Sequence, residues 1–516
     1  MNMRLMKRFY IGLGFGLLVL YAITRTVNLT ALPIFTDEAI YIRWSQIGSQ
    51  DANWRFISLT DGKQPLFTWI MMVTLRLFQD PLVAGRMVSV GAGIFSLVGL
   101  GVLAQEIFGS KKISFLTGFL YIISPFSVMY DRLAIYDSLS AALAIWNLYL
   151  AILLVKKIRL DIALIFGLLL GVGMLNKTSG FIAIYLLPST LLLFNFKQFQ
   201  WKKKILQWMG YATISFILSQ IVYGILRLSP FYHMVSQKDF VFVHPFKNWY
   251  FLYPFFLGNM QGLFDWITGY LTWPIFLLAL SSVFILLRSS QKRISTLLSS
   301  ILLLIYCFVP LTALAYFGKV LYPRFILFMA LPLLILAAFS FNALMEKFWK
   351  RWYVIAFSFI FLFQSIWTTY FIVTNPTYAP IPNSDRGQLI DDWPSGYGAK
   401  ESITFLSKEV EKGQIAVYTE GTFGLFPYAL EIYLVKNPNI SIKGLWPLPK
   451  DIPSEMLESA SKKPTFFILN QTQVVPPGWP LELIAEYQKG TNKSVKLRLY
   501  RVIQPYAFNY TYETRN

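Results

Sequence analysis

The sequence predicts an α-helical polytopic membrane protein of about 11 transmembrane helices plus juxtamembrane helices, followed by a C-terminal extracytoplasmic α/β domain. Three observations lead there. Hydrophobic residues make up 55% of the chain, charged residues only 14%, and the mean hydropathy is +0.51, outside the usual range of soluble domains. Apolar runs of about 17 to 25 residues, each long enough to cross about 30 Å of hydrocarbon as a helix, recur from Phe9 to about Val373. Beyond Thr374, Pro, Gly and charge become frequent and short strand-like runs replace the long apolar ones, dividing the chain into 1–373 and 374–516.

The first apolar run follows Arg4, Lys7 and Arg8 as a secretory signal would, but it is long and no small-residue cleavage site follows it cleanly. An uncleaved first span is expected. The single cysteine, Cys307, lies in an apolar run, which excludes disulfides and a Cys-based metal site. His233 and His244 are too few for a histidine-rich metal centre.

The net charge of +20 is explained by its placement. Eighteen of the 46 basic residues sit in six short clusters between apolar runs: Arg4, Lys7, Arg8; Lys111, Lys112; Lys156, Lys157, Arg159; Lys197, Lys202, Lys203, Lys204; Arg288, Lys292, Arg293; and Lys347, Lys350, Arg351. Positive-inside bias produces this pattern, whereas nucleic-acid binding needs a contiguous basic face on a folded domain, which is not visible. If the short run 65–78, "PLFTWIMMVTLRLF", lies flat in the outer interface, all six clusters are cytoplasmic; if it spans, the later ones invert. The first choice gives spans near 9–27, 82–108, 113–129, 138–155, 160–175, 179–195, 205–227, 264–287, 296–316, 323–345 and 352–373. The amino terminus is then inside, the C-terminal domain outside, and the protein an integral plasma-membrane protein, expected to be prokaryotic from its compact loops.

This topology gathers the remaining polar residues on the outer side. "FTDEAIYIRW" (35–44) reads as an amphipathic interfacial helix with Thr36 as N-cap and two acids in its first turn, where the helix dipole favours them; a carboxylate there is also placed to act as a base. In "YDRLAIYDSLSAAL" (130–143), Arg132 and Asp137 lie five residues apart where one span leaves the membrane and the next begins; the bland alternative is a snorkelling Arg132 and a capping Asp137. Lys177 in "GVGMLNKTSGF" and Lys319 and Arg324 in "YFGKVLYPRFILF" are interfacial anchors by default. Together, carboxylates and cations on one face suit a reaction in which a hydroxyl is deprotonated and a phosphate leaves. A phosphate leaves readily, so the second, protonated carboxyl of a glycosidase is unnecessary.

The order of these motifs resembles the C-type glycosyltransferases, in the branch of the protein O-mannosyltransferases and the lipid A aminoarabinose transferase. The shared pattern is Asp37-Glu38 in the first outer loop, Lys63-Gln64-Pro65-Leu66 opening a juxtamembrane helix, Arg132 and Asp137 after the third span, a Gly-rich helix (Gly171, Gly173) ending in Lys177, and Tyr322-Pro323-Arg324 before a late span. The resemblance covers most of 1–345, with Gln64 standing where the family usually has Pro. It implies a polyprenyl-phosphate donor carrying one sugar, a hexose such as mannose or a pentose, used on the outer face with inversion. Asp37 would be the base and Glu38 would orient the site or acceptor. Lys63, Arg132, Lys177 and Arg324 would bind the donor phosphate, and Asp137, Gln64, Tyr322 and His244 would position sugar or acceptor. The acceptor would be a lipid, glycan or protein hydroxyl. The branch implies no required metal, although Asp37, Glu38 and Asp137 have the oxygen ligands for a divalent cation, Mg or Mn.

The rival class is a transporter or flippase of lipid-linked sugars, which should show ionisable residues or broken helices near span centres and inverted repeats. "GLGFG" (12–16) lies inside a span, so it is no dinucleotide loop. The outer loop 228–263 is long and aromatic, as lids are, and carries His244 and Lys247. In the tail, a helix to Val410, strand-like "QIAVYTEG", a helix "LFPYALEIYLV", strand-like "PTFFILNQ" and a pair, "LELIAEYQ" and "VKLRLYRVI", alternate as in a small α/β domain. "EGTFGLFP" reads as a plain strand-to-helix turn before an anion site.

Overall fold

The computed structural model describes residues 3–288, 294–348 and 352–503. Lys292, Arg293, Lys350 and Arg351 of the basic clusters lie outside these residues. In chain order the helices are α1 (Met3–Thr26), α2 (Thr36–Gln50), α3 (Leu66–Thr74), α4 (Pro81–Phe108), α5 (Lys111–Ile123), α6 (Pro125–Asp131), α7 (Tyr136–Lys157), α8 (Leu160–Asn176), α9 (Ile182–Tyr185), α10 (Trp201–Tyr223), α11 (Met234–Phe242), α12 (Tyr253–Leu271), α13 (Trp273–Arg288), α14 (Ile294–Phe317), α15 (Leu327–Phe348) and α16 (Trp352–Thr374). The tail continues with α17 (Asn383–Arg386), α18 (Ala399–Lys412), β1 (Ile415–Glu420), α19 (Leu425–Leu434), β2 (Ile440–Leu445), α20 (Ser454–Lys462), β3 (Thr465–Leu469), β4 (Leu481–Lys489) and β5 (Asn492–Val502).

Among the described residues five helices are long and apolar enough to cross a membrane, seven if each of two bent pairs is one span. Four other expected spans fall on shorter apolar helices, and 179–195 is largely 3-10 helix on either side of α9. The run at 65–78 forms only the nine-residue α3, too short at about 1.5 Å per residue to cross the hydrocarbon. The expected span 113–129 is instead α5 and α6, bent by 62° before Pro125. The expected span 264–287 is corrected more strongly: α12 starts at Tyr253, inside the presumed outer loop, and meets α13 at 102°. Pro274 explains the break, since its ring has no N–H to donate and clashes with the carbonyl four residues back, and Thr272 adopts φ 68° there.

The chain forms two compact units. The first comprises 1–29, 51–71 and 86–382. Its amino-terminal part is held by two buried arginines that cap each other's helices. Fully buried Arg25, one residue before the end of α1, donates to the carbonyls of Ile122 (2.7 Å) and Tyr121 (3.3 Å) where α5 breaks. Its Nε pairs with the buried Asp131 carboxylate at 3.2 Å, which also accepts from the Tyr121 hydroxyl at 2.9 Å. In return Arg132 donates to the carbonyls of Thr24, Arg25, Val27 and Asn28 at 2.7–3.1 Å, closing the end of α1. Carbonyls at a helix end otherwise have no intrahelical partner, and in an apolar surround each would be costly.

The second unit comprises 30–50, 72–85 and the tail from Asn383. Its five-stranded sheet has the order β2-β1-β3-β5-β4, with β2, β1 and β3 parallel and β5 antiparallel to both β3 and β4. Strands β1 and β3 are buried throughout, as expected for parallel strands covered on both faces. The strand and helix signals of the sequence are found in place; β2 and α20 were not anticipated. Helix α2 packs against α19 and is largely buried.

Candidate functional site

In the first unit the functional candidates gather around the end of α8. Asn176 fixes that end by donating its side-chain amide to the Tyr136 carbonyl (3.1 Å) and the Ser140 hydroxyl (2.7 Å) at the start of α7. Lys177, the next residue, is thereby set beside Asp137 in the first turn of α7, with Nζ 2.5 Å from its carboxylate. Asp137 therefore pairs with Lys177 and makes no capping bond to its own helix. The Lys177 side chain keeps 27% exposure, so it can reach a ligand while paired.

Aromatic rings connect this pair to the motif before α15. Lys177 Nζ stands 4.7 Å from the Phe325 ring centre, and Arg324 lies over both Tyr322 (4.5 Å) and Phe325 (5.9 Å). A cation over a ring face is held by the ring quadrupole while its remaining N–H groups stay directional donors. On the other side, Gln64 donates from Nε2 to the Thr178 hydroxyl at 2.8 Å, so the residue that departs from the family's usual Pro ties the juxtamembrane element to the end of α8. Thr178 is in turn hydrogen-bonded to Asp239 on α11.

Asp239 was not anticipated. Burial raises its carboxyl above the usual range, and the Thr178 hydroxyl opposes the shift. The signal that reveals it is its charge, since Asp239 is the one carboxylate in the loop 228–263. Lys238 pairs with Asp61 at 2.6 Å, and Lys63 stands 3.9 Å from the same carboxylate. Gly62, at φ 65°, makes this docking possible, because a Cβ there would collide with the Met234 carbonyl oxygen of α11. The long loop 228–263 is thus folded onto the 57–64 segment through α11.

Two further candidates make other contacts. Arg132 spends its guanidinium on four backbone carbonyls, so the structure gives it a helix-capping position, neither snorkelling nor beside Lys177. His244 is held by its backbone, which donates to the Phe317 carbonyl at 2.7 Å, and its ring stacks on Phe255.

In the second unit Asp37 and Glu38 begin α2. Thr36 is helical and no N-cap; its hydroxyl donates to the Pro394 carbonyl at 2.8 Å. Glu38 is fully buried and accepts from the Phe35 N–H at 2.9 Å, the reach-back bond of a capping box. Asp37 is half-buried. The "EGTFG" segment is a strand-to-helix turn, and the carboxylate of Glu420 fills the nest of N–H groups at Asn470, Gln471 and Thr472. Among the described residues no three His, Cys, Asp or Glu side chains cluster as metal ligands.

Two comparisons relate the chain to known proteins, one over part of its sequence and one over its fold. Residues 62–223 match the family described as dolichyl-phosphate-mannose-protein mannosyltransferase, a segment that contains Lys63, Gln64, Asp137 and Lys177. The chain is also similar in fold to ArnT from Cupriavidus metallidurans, in the apo state (TM-score 0.59) and bound to undecaprenyl phosphate (TM-score 0.58). In both, identity is 13% and the similarity covers 96% of this chain and 98% of the other. No curated protein matches the sequence.

Proposed function

We propose that the protein transfers a sugar, a hexose such as mannose, from a polyprenyl phosphate to an acceptor hydroxyl on the outer face of a prokaryotic cell membrane, with inversion at the anomeric carbon. The observation that carries this reading is the paired and partly exposed Lys177, inside the family-matched region with Asp137, which sets it beside the Arg324 and Phe325 motif that lies beyond that region. The ArnT structure with undecaprenyl phosphate supports the donor class.

The acceptor oxygen attacks the anomeric carbon from the face opposite the phosphate. The carbon–oxygen bond to phosphate breaks with its electron pair going to the departing polyprenyl phosphate, and Asp37 takes the acceptor proton. Lys63, Lys177 and Arg324 stabilise the charge that grows on the phosphate. Asp137 holds Lys177 in place, Gln64 and Asp239 fix Thr178 beside it, and Tyr322 is a polar group for a sugar hydroxyl. Arg132 ties the segment leading into α7 to the end of α1, and Glu38 holds the first turn of α2, which carries Asp37.

Lys177→Met tests the phosphate assignment. It removes the charge from a partly exposed site and is expected to raise the donor KM and to lower kcat/KM by about 10²-fold, with the acceptor KM unchanged. An unaltered donor KM would remove Lys177 from the phosphate site. Because side-chain cations carry the leaving phosphate in this scheme, transfer is expected to persist in excess EDTA; loss that Mg or Mn restores would assign that work to an ion.

The second reading, a flippase for lipid-linked sugar, draws on the two bent helix pairs. At the first break, however, the freed carbonyls of Tyr121 and Ile122 are occupied by Arg25, and at the second the Thr272 hydroxyl meets Ser365 at 3.1 Å. A first break whose carbonyls are occupied by the protein's own arginine favours surface chemistry over transport.

A further inference from the structure

The second unit contains a loop, 393–397, held from within by a buried lysine. The loop Trp393-Pro394-Ser395-Gly396-Tyr397 presents its carbonyls in two directions. One direction faces its own domain: Asn470, just past β3, donates to the Trp393 carbonyl at 3.0 Å, and Lys489 donates from Nζ to the carbonyls of Ser395 (2.5 Å) and Tyr397 (3.1 Å). Lys489 ends β4 at a register shift after Gln488, and its side chain is fully buried. A bulge of this kind turns a side chain out of the strand's alternation, here inward. Burial pushes its ammonium down to about 7, against the pull of Asp392 and Glu401. A buried amine of this sort is costly, so the loop it holds is expected to matter.

The other direction faces the segment that enters α2. Thr36 donates both its N–H (3.1 Å) and its hydroxyl (2.8 Å) to the Pro394 carbonyl, and Phe35 bridges Ser395 in antiparallel fashion. Gly396 lets the two strands approach, since a Cβ there would collide with the Ile34 carbonyl oxygen. Further along α2, Arg43 pairs with Glu431 at 2.6 Å and Gln46 donates to the Ile432 carbonyl at 2.9 Å, both on α19. The helix is thus seated on the α/β domain along its length, and its first turn rests on the loop that Lys489 holds.

We propose that the C-terminal domain is the seat of the base-bearing helix, with Lys489 as a positioning residue that fixes the 393–397 loop and, through it, the first turn of α2 at Asp37. This rests on the reading of Asp37 as base. The domain's contribution is orientation: general-base catalysis needs the carboxylate within hydrogen-bond reach of the acceptor hydroxyl, and a displacement of about 1 Å costs about 10²-fold in rate.

The test uses the full-length protein in lipid. Lys489→Met is expected to lower kcat by about 10- to 10²-fold with the donor KM within about twofold of wild type. Thr36→Val, which removes one bond from the same contact and leaves the lysine in place, is expected to lower kcat in the same direction by a smaller factor. The bridged pair Phe35 and Ser395 then offers a tether. In a non-hydrogen-bonded antiparallel pair the Cα atoms lie about 4.5 Å apart, within disulfide range. Phe35→Cys with Ser395→Cys should cross-link readily when Lys489 is present and more slowly with Lys489→Met. Once oxidised, the cross-link should return the Lys489→Met protein to the kcat of the cross-linked protein that keeps Lys489. Equal cross-linking rates with and without Lys489 would overturn the proposal. So would full kcat in Lys489→Met, or a complete cross-link that restores nothing. The cross-linking rates read the seating without any turnover, so a failure of the sugar-transfer reading would appear separately, as a wild-type protein that cross-links but transfers no sugar.

Discussion

Asp37→Asn is expected to lower the turnover number for sugar transfer by about 10²- to 10⁴-fold while the donor KM changes little. The amide keeps the shape and hydrogen-bonding size of the carboxylate but cannot accept the acceptor's proton. The geometry of α2 supports a specific loss. Glu38 is buried in the capping bond to the Phe35 N–H, so Asp37 is the more exposed member of the pair. Glu38→Gln keeps a group able to accept that bond, and its effect should be distinctly smaller. Equal losses for the two substitutions, or transfer at the wild-type rate in Asp37→Asn, would remove Asp37 from the role of base.

Arg25→Met should cost about 3–5 kcal/mol of stability, read as a lowered midpoint of thermal unfolding in detergent. The substitution strands the Asp131 carboxylate in an apolar interior and leaves the Tyr121 and Ile122 carbonyls at the α5 break without their donor. Asp131→Leu in the same chain should return part of the loss, because a buried charge without a partner costs more than the absence of both. If Arg25→Met unfolds at the wild-type temperature, the buried pair is not what holds α1 to the broken helix.

The Arg25–Asp131 pair also shows where sequence reasoning stopped short. An arginine inside the first apolar run is a strong signal, since charges within a span almost always face the protein interior and find a partner. The partner, Asp131, stands directly before Arg132, whose place in the motif pattern overshadows it in the sequence. The polytopic class, the α/β tail and most of its strands were legible, because apolar run length and the switch from long to short runs are properties of the chain itself. The break between α12 and α13 was legible in principle at Pro274 but was masked by the unbroken hydropathy around it. Strand β2 was hidden because its residues alternate between half-buried and exposed at the edge of the sheet, without the continuous apolar run of β1 or β3.

The candidate site was legible in parts. Asp137, Lys177, Gln64, Tyr322 and Arg324 meet around the end of α8 as their common outer placement suggested. That Gln64 reaches Thr178, and that Asp239 joins from α11, depends on how a long loop folds back, which no local spacing encodes. The dependence of α2 on Lys489 is less local still: more than 450 residues of chain separate Asp37 from the lysine that holds its seat.

The most direct measurement follows the fate of the donor. Purified protein in liposomes is given a polyprenyl-phosphate hexose labelled in the sugar, together with an envelope extract, and free polyprenyl phosphate and labelled acceptor are both quantified. The account predicts that the two products appear in equal amounts, that the sugar–acceptor linkage has the opposite anomeric configuration to the donor, and that Asp37→Asn abolishes both. Movement of intact donor across the bilayer with no polyprenyl phosphate released would contradict it.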